Sequence, residues 1–368
     1  MNINKQLFQL AIFSSVALAT PMSRAEASDD SQTSTGASVP PKVVLQPAPP
    51  QRLNRLSLSY RMGLNVSVDF RKLGGFTPLT DPGPDTGAQS DRNYDGGSYN
   101  RVDSSGNAGD LTWYWGYENP DSIQGDTIIL TSSSSPATAV SNDHYDDPNH
   151  GLELSYAREL YRKKNWRCGV EGAFGYSHLS VEDGRTLVNQ VDVIQDTYSI
   201  PDQVFVIPDA PYRGTYEGPA VVIGSSPQRT RTIIPQEAII DGRRALDADM
   251  FLFRLGPYVE FPVDEKLSLM LNGGLTLLVS GTDFSYSETV RIPGLGSQSR
   301  AAAGSESDFL VGGYIGGRVS YAVADEWSVF CGAQFQTAGR SFNHEGGKEA
   351  ILDMRESVVV SIGVSYSF

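Results

Sequence analysis

From Val358 to Phe368 the sequence alternates, with Val358, Val360, Ile362, Val364, Tyr366 and Phe368 set against small, mostly polar residues. A period of two places the two sets on opposite faces of a strand. The length is that of a tilted strand crossing the hydrocarbon of a bilayer, about 9–11 residues. A longer alternation stands far upstream: Leu56, Leu58, Tyr60, Met62, Leu64, Val66, Val68 and Phe70 against Ser57, Ser59, Arg61, Gly63, Asn65, Ser67 and Asp69. It reads as one unbroken strand, apolar on one face and wet on the other.

Three hairpins of the same pattern lie between these strands. The first has arms Leu152, Leu154, Tyr156, Leu160 and Trp166, Cys168, Val170, Phe174, Tyr176, joined by Arg162-Lys163-Lys164-Asn165. The second sets Phe251, Phe253, Leu255, Val259, Phe261 against Leu267, Leu269, Leu271, Leu275, Leu277, turning at Val263-Asp264-Glu265. In the third, Phe309, Val311, Ile315, Val319, Tyr321 face Trp327, Val329, Ala333, Phe335 across Ala324-Asp325-Glu326. Eight strands with short turns on one side and long loops on the other predict an all-β fold, a transmembrane antiparallel up-and-down β-barrel. Its turns and both termini would be periplasmic and its long loops extracellular. Trp166, Phe261, Tyr321, Trp327 and Phe368 fall at the predicted periplasmic strand ends, where amphipathic rings prefer the interface. Pro257 inside a strand predicts a bulge. Strand-like stretches at Leu111 to Tyr117 and Thr127 to Leu130 leave room for ten or more strands, but read better as hairpins rising above the membrane.

Lys5 and the apolar run from Leu7 to Ala19 have the pattern of a secretory signal peptide, residues 1–27, with Ala25-Glu26-Ala27 favoured over Ala17-Leu18-Ala19 as the cleavage site. Residues 28–52, rich in Pro and Ser, predict a disordered periplasmic tail, and residues 53–368 the barrel, with large outer loops at about 71–150 and 183–247. A mean hydropathy of −0.27 is no obstacle, because a barrel strand spends only alternate residues on lipid. The net charge of −14 argues against nucleic acid as a partner. Cys168 and Cys331 fall in the lipid-facing phase of separate strands and are expected to be unpaired.

The inward phase carries Arg61, Glu153, Glu159, Glu171, Arg254, Glu260 and Arg318. The lumen of eight strands is just wide enough for side chains to fill, and an unpaired enclosed charge costs several kcal/mol. Arg61, Glu171, Arg254 and Arg318 are therefore expected to form a lumen charge network.

With these strands in place the chain, from about Leu53 to Phe368, resembles the small eight-stranded bacterial outer-membrane proteins: the transmembrane domain of outer-membrane protein A, opacity-type adhesins and lipid A deacylases. The resemblance implies a cell outer-membrane location and outer-membrane lipid as surroundings. It also implies assembly machinery that reads the carboxyl-terminal strand ending in Phe368. A non-enzymatic role follows, envelope-structural or surface-binding through long acidic loops toward an extracellular ligand the sequence does not identify. The alternatives are a narrow porin-like channel for small solutes and a lipid A deacylase-like esterase. The last rests on His178, Ser180 and Glu182 in the lipid-facing phase, similar to the His-x-Ser pair of the deacylases. Asp91, Asn93 and Asp95 match the start of a calcium loop but lack its closing Glu, with Val102 in that place. Leu111 to Tyr117 is the most aromatic stretch outside the barrel, either a binding surface or the core of a hairpin. No cofactor is expected.

Overall fold

The computed structural model describes residues 52–87, 90–102, 108–145, 148–202 and 206–368. The expected signal peptide and nearly all of the Pro-rich segment lie outside these residues. The fold is all-β and antiparallel. β1 (Asn54–Leu64) and β2 (Ser67–Leu73) are followed by the short β3 (Arg92–Tyr94), β4 (Gly97–Tyr99), β5 (Leu111–Thr112), β6 (Trp115–Tyr117) and β7 (Ile123–Gln124). Next come β8 (Thr127–Ser134), β9 (Ala139–Tyr145), β10 (Asn149–Arg162), β11 (Arg167–Asp183) and β12 (Leu187–Ser199). The short β13 (Tyr212–Arg213) and β14 (Ile223–Gly224) precede the long β15 (Gln228–Pro262), β16 (Leu267–Ile292) and β17 (Gly296–Ala322). β18 (Trp327–Thr337), β19 (Arg340–Glu345), β20 (Lys348–Asp353) and β21 (Ser357–Ser367) follow.

β1, β10, β11, β15, β16, β17, β18 and β21 pair in cyclic order. β21 meets β1 with Ser365 opposite Ser57, and β11 meets β15 with Phe174 opposite Phe253, which closes the wall. Alternation sorts its side chains: Leu58, Leu255, Leu275, Ile315 and Ile362 stand exposed on the outer face, while Glu153, Glu171, Arg254 and Glu260 are buried inside. The stretches Leu111 to Tyr117 and Thr127 to Leu130 are not in this wall. The second belongs to β8, which pairs with β12, and β12 adds to the upper part of β15.

Pro257 sits in unbroken register, not at the expected bulge: Leu255 faces Leu275 and Tyr258 faces Asn272, with Val170 opposite the proline on the other side. The strands approach closely beside it. A Cβ added to Gly256 would lie 2.1 Å from the Gly273 carbonyl oxygen and 2.8 Å from Gly274 Cα, so only glycines allow the strands this near. The wall does bulge elsewhere, between Glu159 and Tyr161 of β10.

The expected unbroken strand from Leu56 to Phe70 is two strands. Asn65 adopts φ +62°, a left-handed conformation that short polar side chains tolerate, and its Nδ2 donates to the Glu356 carbonyl at 2.7 Å. Beyond this kink Val66, Val68 and Phe70 are 4%, 0% and 0% exposed, protein-facing rather than lipid-facing. The neighbouring strands break at the same level, and their continuations form a separate sheet in the order β19-β20-β2-β9. At its outer edge side chains replace the ladder: Asp308 of β17 accepts from Ser341 Oγ at 2.6 Å and from the Phe342 amide at 3.0 Å.

β11, β15, β16 and β17 instead run on past that level, and on the first three the sidedness inverts. On β15 the outward Phe251, Phe253 and Leu255 give way to Asp249, Asp247 and Arg243, while the inward Arg254 gives way to Leu252, Met250, Ala248 and Leu246. The inner faces of these strands and one face of the β19-β20-β2-β9 sheet enclose an apolar core, in which the Phe70 and Phe284 rings stack at 5.8 Å. A second core is built from Tyr94, Tyr99, Trp115, Tyr117, Ile128, Leu130 and Tyr198.

Candidate functional site

In the lumen of the lower wall Arg254 stands between two carboxylates, Glu153 and Glu171, and Arg61 enters through Glu153, which the expected network of Arg61, Glu171, Arg254 and Arg318 did not contain. Glu153 of β10 takes Arg61 of β1 at 3.0 Å and a two-point contact from Arg254 of β15, Nη2 at 2.6 Å and Nε at 3.2 Å. Glu171 of β11 takes Arg318 Nη2 at 3.3 Å and Asn272 Nδ2 at 2.9 Å, with Arg254 Nη2 4.0 Å away. Arg254 also lies over the Tyr314 ring at 4.6 Å, and Arg318 over Phe330 at 4.2 Å. Nearer the turns, Glu260 accepts from Arg55 at 2.9 Å, Arg167 at 2.7 Å and Ser268 at 2.7 Å. Arg55 and Arg167 escape the sequence reading, although each continues the inward phase of its strand, two steps before Ser57 and Gly169. Low-dielectric surroundings make such charges costly singly and cohesive together.

Above the network lies a cavity of about 30 Å³ bordered by Arg61, Met250, Leu252, Leu278, Gln336 and Met354. That is room for about one water. Beyond it the apolar core of the upper half covers the mouth.

At the turn end, Phe261, Tyr321, Trp327 and Phe368 are exposed on the outer wall and Trp166 is half-buried, with Trp166 against Tyr161 at 5.4 Å and Trp327 against Tyr366 at 5.1 Å. Cys168 and Cys331 are free thiols, on β11 and β18.

His178, Ser180 and Glu182 stand in a row on the outer face of β11, where apolar side chains end. His178 Nδ1 lies 3.0 Å from Asp249 Oδ1, which also accepts from Tyr176 Oη at 2.8 Å. Glu182 pairs with Arg243. Asp91, Asn93 and Asp95 belong to a tight hairpin in which β3 pairs with β4 around Asp95-Gly96, not to a loop wrapped about a cation. Asp91 accepts from the Arg101 amide at 2.8 Å, and Asp95 from Thr80 Oγ1 at 3.3 Å. Among the described residues no three His, Cys, Asp or Glu side chains are gathered to hold a metal. The aromatic stretch is core: Trp115 and Tyr117 are buried, and the Trp115 indole donates to the Val221 carbonyl at 2.8 Å.

The upper half holds buried ion pairs of its own. Asp183, at the end of β11, accepts from Ser141 Oγ at 2.7 Å and Arg244 Nη1 at 3.0 Å. Burial alone would raise its carboxyl, but the Arg185 amide, Ser141, Arg244 and the nearby His144 outweigh it and hold the group at about 2. Burial pushes the adjacent His144 imidazole below its ordinary value, with Arg185 and Arg244 adding to the shift and Asp183 opposing it. Lys348 and Glu288 form a second buried pair, and Glu288 also accepts from the Gly74 amide. Asp196, Arg229 and Tyr94 form a third cluster, with Arg229 Nη2 2.6 Å from Asp196 Oδ2. These residues lie in stretches whose sequence has no sustained alternation, so periodicity could not pair them.

The sequence matches no protein-family profile and no curated protein. Among solved structures it is similar to Ail, the attachment invasion locus protein of Yersinia pestis, at 12% identity over 86% of this chain and 99% of that one, with a TM-score of 0.28. The outer membrane protease OmpT of Escherichia coli is similar at 12% identity over 87% and 97%, TM-score 0.28. The translocator domain of the autotransporter NalP of Neisseria meningitidis follows at 11% identity over 88% and 90%, TM-score 0.21. Likeness at this level says nothing of function.

Proposed function

We propose that the chain is an integral outer-membrane protein, an eight-stranded transmembrane barrel with a sealed lumen, carrying a folded extracellular head whose surface binds a partner. The role is non-enzymatic. The observation that carries this reading is the inversion along single strands. Below it the wall is apolar outside and charged inside, which suits lipid; above it the wall is polar outside and apolar inside, which suits water. On β15 the apolar outer band runs from Phe251 to Phe261, about 33 Å of strand. At a tilt of 35–45° that covers about 25 Å of height, the apolar band of such barrels. The aromatic residues at the turn end mark the other interface.

The salt-bridged lumen and the apolar core above it favour a plug over a pore. Purified, refolded protein should migrate faster on gels unless boiled, and should give no single-channel steps in planar bilayers. A protein that stays in solution without detergent would end the membrane assignment. A channel reading draws on one observation: Arg254 Nη1 and Arg318 Nη1 are buried with no hydrogen-bonding side chain or carbonyl among the described residues. Such groups call for water in the lumen, so steady conductance steps that change in Arg318→Ala would replace the plug with a narrow conduit. Lipid A from cells making the protein or Ser180→Ala should have identical mass spectra; loss of an acyl chain dependent on Ser180 would restore the esterase reading.

A further inference from the structure

Two of the four histidines of the chain face each other across adjacent strands. His150 of β10 is directly opposite His178 of β11, and His178 is opposite Asp249 of β15. All three are exposed on the outer face, one step above Leu152, Tyr176 and Phe251, where the apolar band ends. Each ring is already held through Nδ1: that of His178 by Asp249 Oδ1 at 3.0 Å, that of His150 by Tyr60 Oη at 2.5 Å, with the Tyr60 and His150 rings stacked 5.8 Å apart. A neutral imidazole that donates from Nδ1 keeps its lone pair on Nε2. An oxygen partner on the far nitrogen is the support that metal-bound imidazoles have: the Asp249 carboxylate, which only accepts, fixes the tautomer of His178, and the Tyr60 hydroxyl, which donates or accepts, accepts from His150 Nδ1 when Nε2 is a ligand. Directly opposed strand residues have Cβ atoms about 4.5–5.5 Å apart, a spacing from which two imidazoles can serve one ion at about 2.0–2.1 Å.

We propose that His150 and His178 bind one divalent transition-metal ion of the zinc class through Nε2, with Asp249 and Tyr60 orienting the rings. Imidazole ligands select this class over calcium and magnesium. The chain supplies two ligands, and water or an anionic oxygen at the membrane surface fills the outward positions. The other two histidines are engaged elsewhere: His144 Nε2 meets Ser141 Oγ at 2.9 Å and Arg185 Nη2 at 2.6 Å, and His344 pairs with Glu349 at 3.1 Å. The site goes beyond the proposed function and is built on four adjacent strands, β1, β10, β11 and β15.

The test is calorimetric titration of Zn²⁺ into chelator-treated, detergent-folded protein in excess magnesium. One equivalent should bind with micromolar affinity. His150→Ala and His178→Ala should each weaken binding at least about tenfold, and Asp249→Asn should weaken it by about tenfold through the orienting bond. The His144→Ala/His344→Ala double variant should bind as the parent does. Heat-modifiable migration shows that each variant is folded. Absence of zinc binding at millimolar concentration, or parental binding in a folded His150→Ala/His178→Ala double variant, overturns the proposal.

Discussion

Glu171 shows what a single side chain does in the lumen. It lies between Arg318 and Arg254 with Asn272 as a further donor, so its removal leaves Arg318 enclosed without its counter-ion, while Arg254 keeps Glu153. Glu171→Ala should lower unfolding stability by about 3–5 kcal/mol, read as an earlier loss of heat-modifiable migration on heating or in denaturant. Asp183 and His144 make the head acid-sensitive. Both have folded-state values below their ordinary ones, so each contributes stability above its ordinary value that is lost as pH falls through it. Protease resistance of the head should therefore weaken below the ordinary histidine value of 6.5, and again from 3.8 down to about 2. Asp183→Asn should shrink the second step, which Asp353 of β20 shares because burial is outweighed by hydrogen bonds from Arg355 and Arg340 that hold its carboxyl at about 2, while lowering resistance at neutral pH; an unchanged profile would remove Asp183 from the account.

At the scale of the strand, sidedness decides what each segment can touch. Single tryptophans at Leu255 or Phe253 should be quenched by brominated detergent and one at Asp247 should not; quenching at Asp247 would move the boundary. Asn65→Val places a β-branched residue at a left-handed φ and should cost about 1–2 kcal/mol, whereas Asn65→Gly should keep the kink. Comparison of folding yields checks this pair. Sidedness was legible in the sequence because Arg61, Glu171, Arg254 and Arg318 hold the inward phase of long alternations, and period two survives any twist of the sheet. The kink was not. Alternation passes through Asn65 unbroken, and Val68 and Phe70 keep their parity while their surroundings change from the exposed outer face of the wall to a protein core. The inversion on β15 hid in the same way, since Asp247 and Asp249 have the polarity of a loop. His150 stands one step outside the hairpin arm that begins at Leu152, so its position opposite His178 emerged only with the register.

For the molecule as a whole, the wall and the head use the same strands with opposite sidedness. The lumen network lies below, the apolar core above, and the cavity of about 30 Å³ is the space at their junction. Surface proteolysis of intact cells should cut within residues 183–247 or 71–150 and spare the turns at 163–165, 264–266 and 324–326. Cleavage at those turns would reverse the orientation.

Ser67–Leu73 lies beside Lys348–Asp353 in the head just as Asn54–Leu64 lies beside Ser357–Ser367 in the wall. A translation product that stops short of Lys348 therefore lacks both the seam of the cylinder and the middle slat of its cover. In such a fragment Phe70 and Phe284 would lose their cover and lie open to proteolysis.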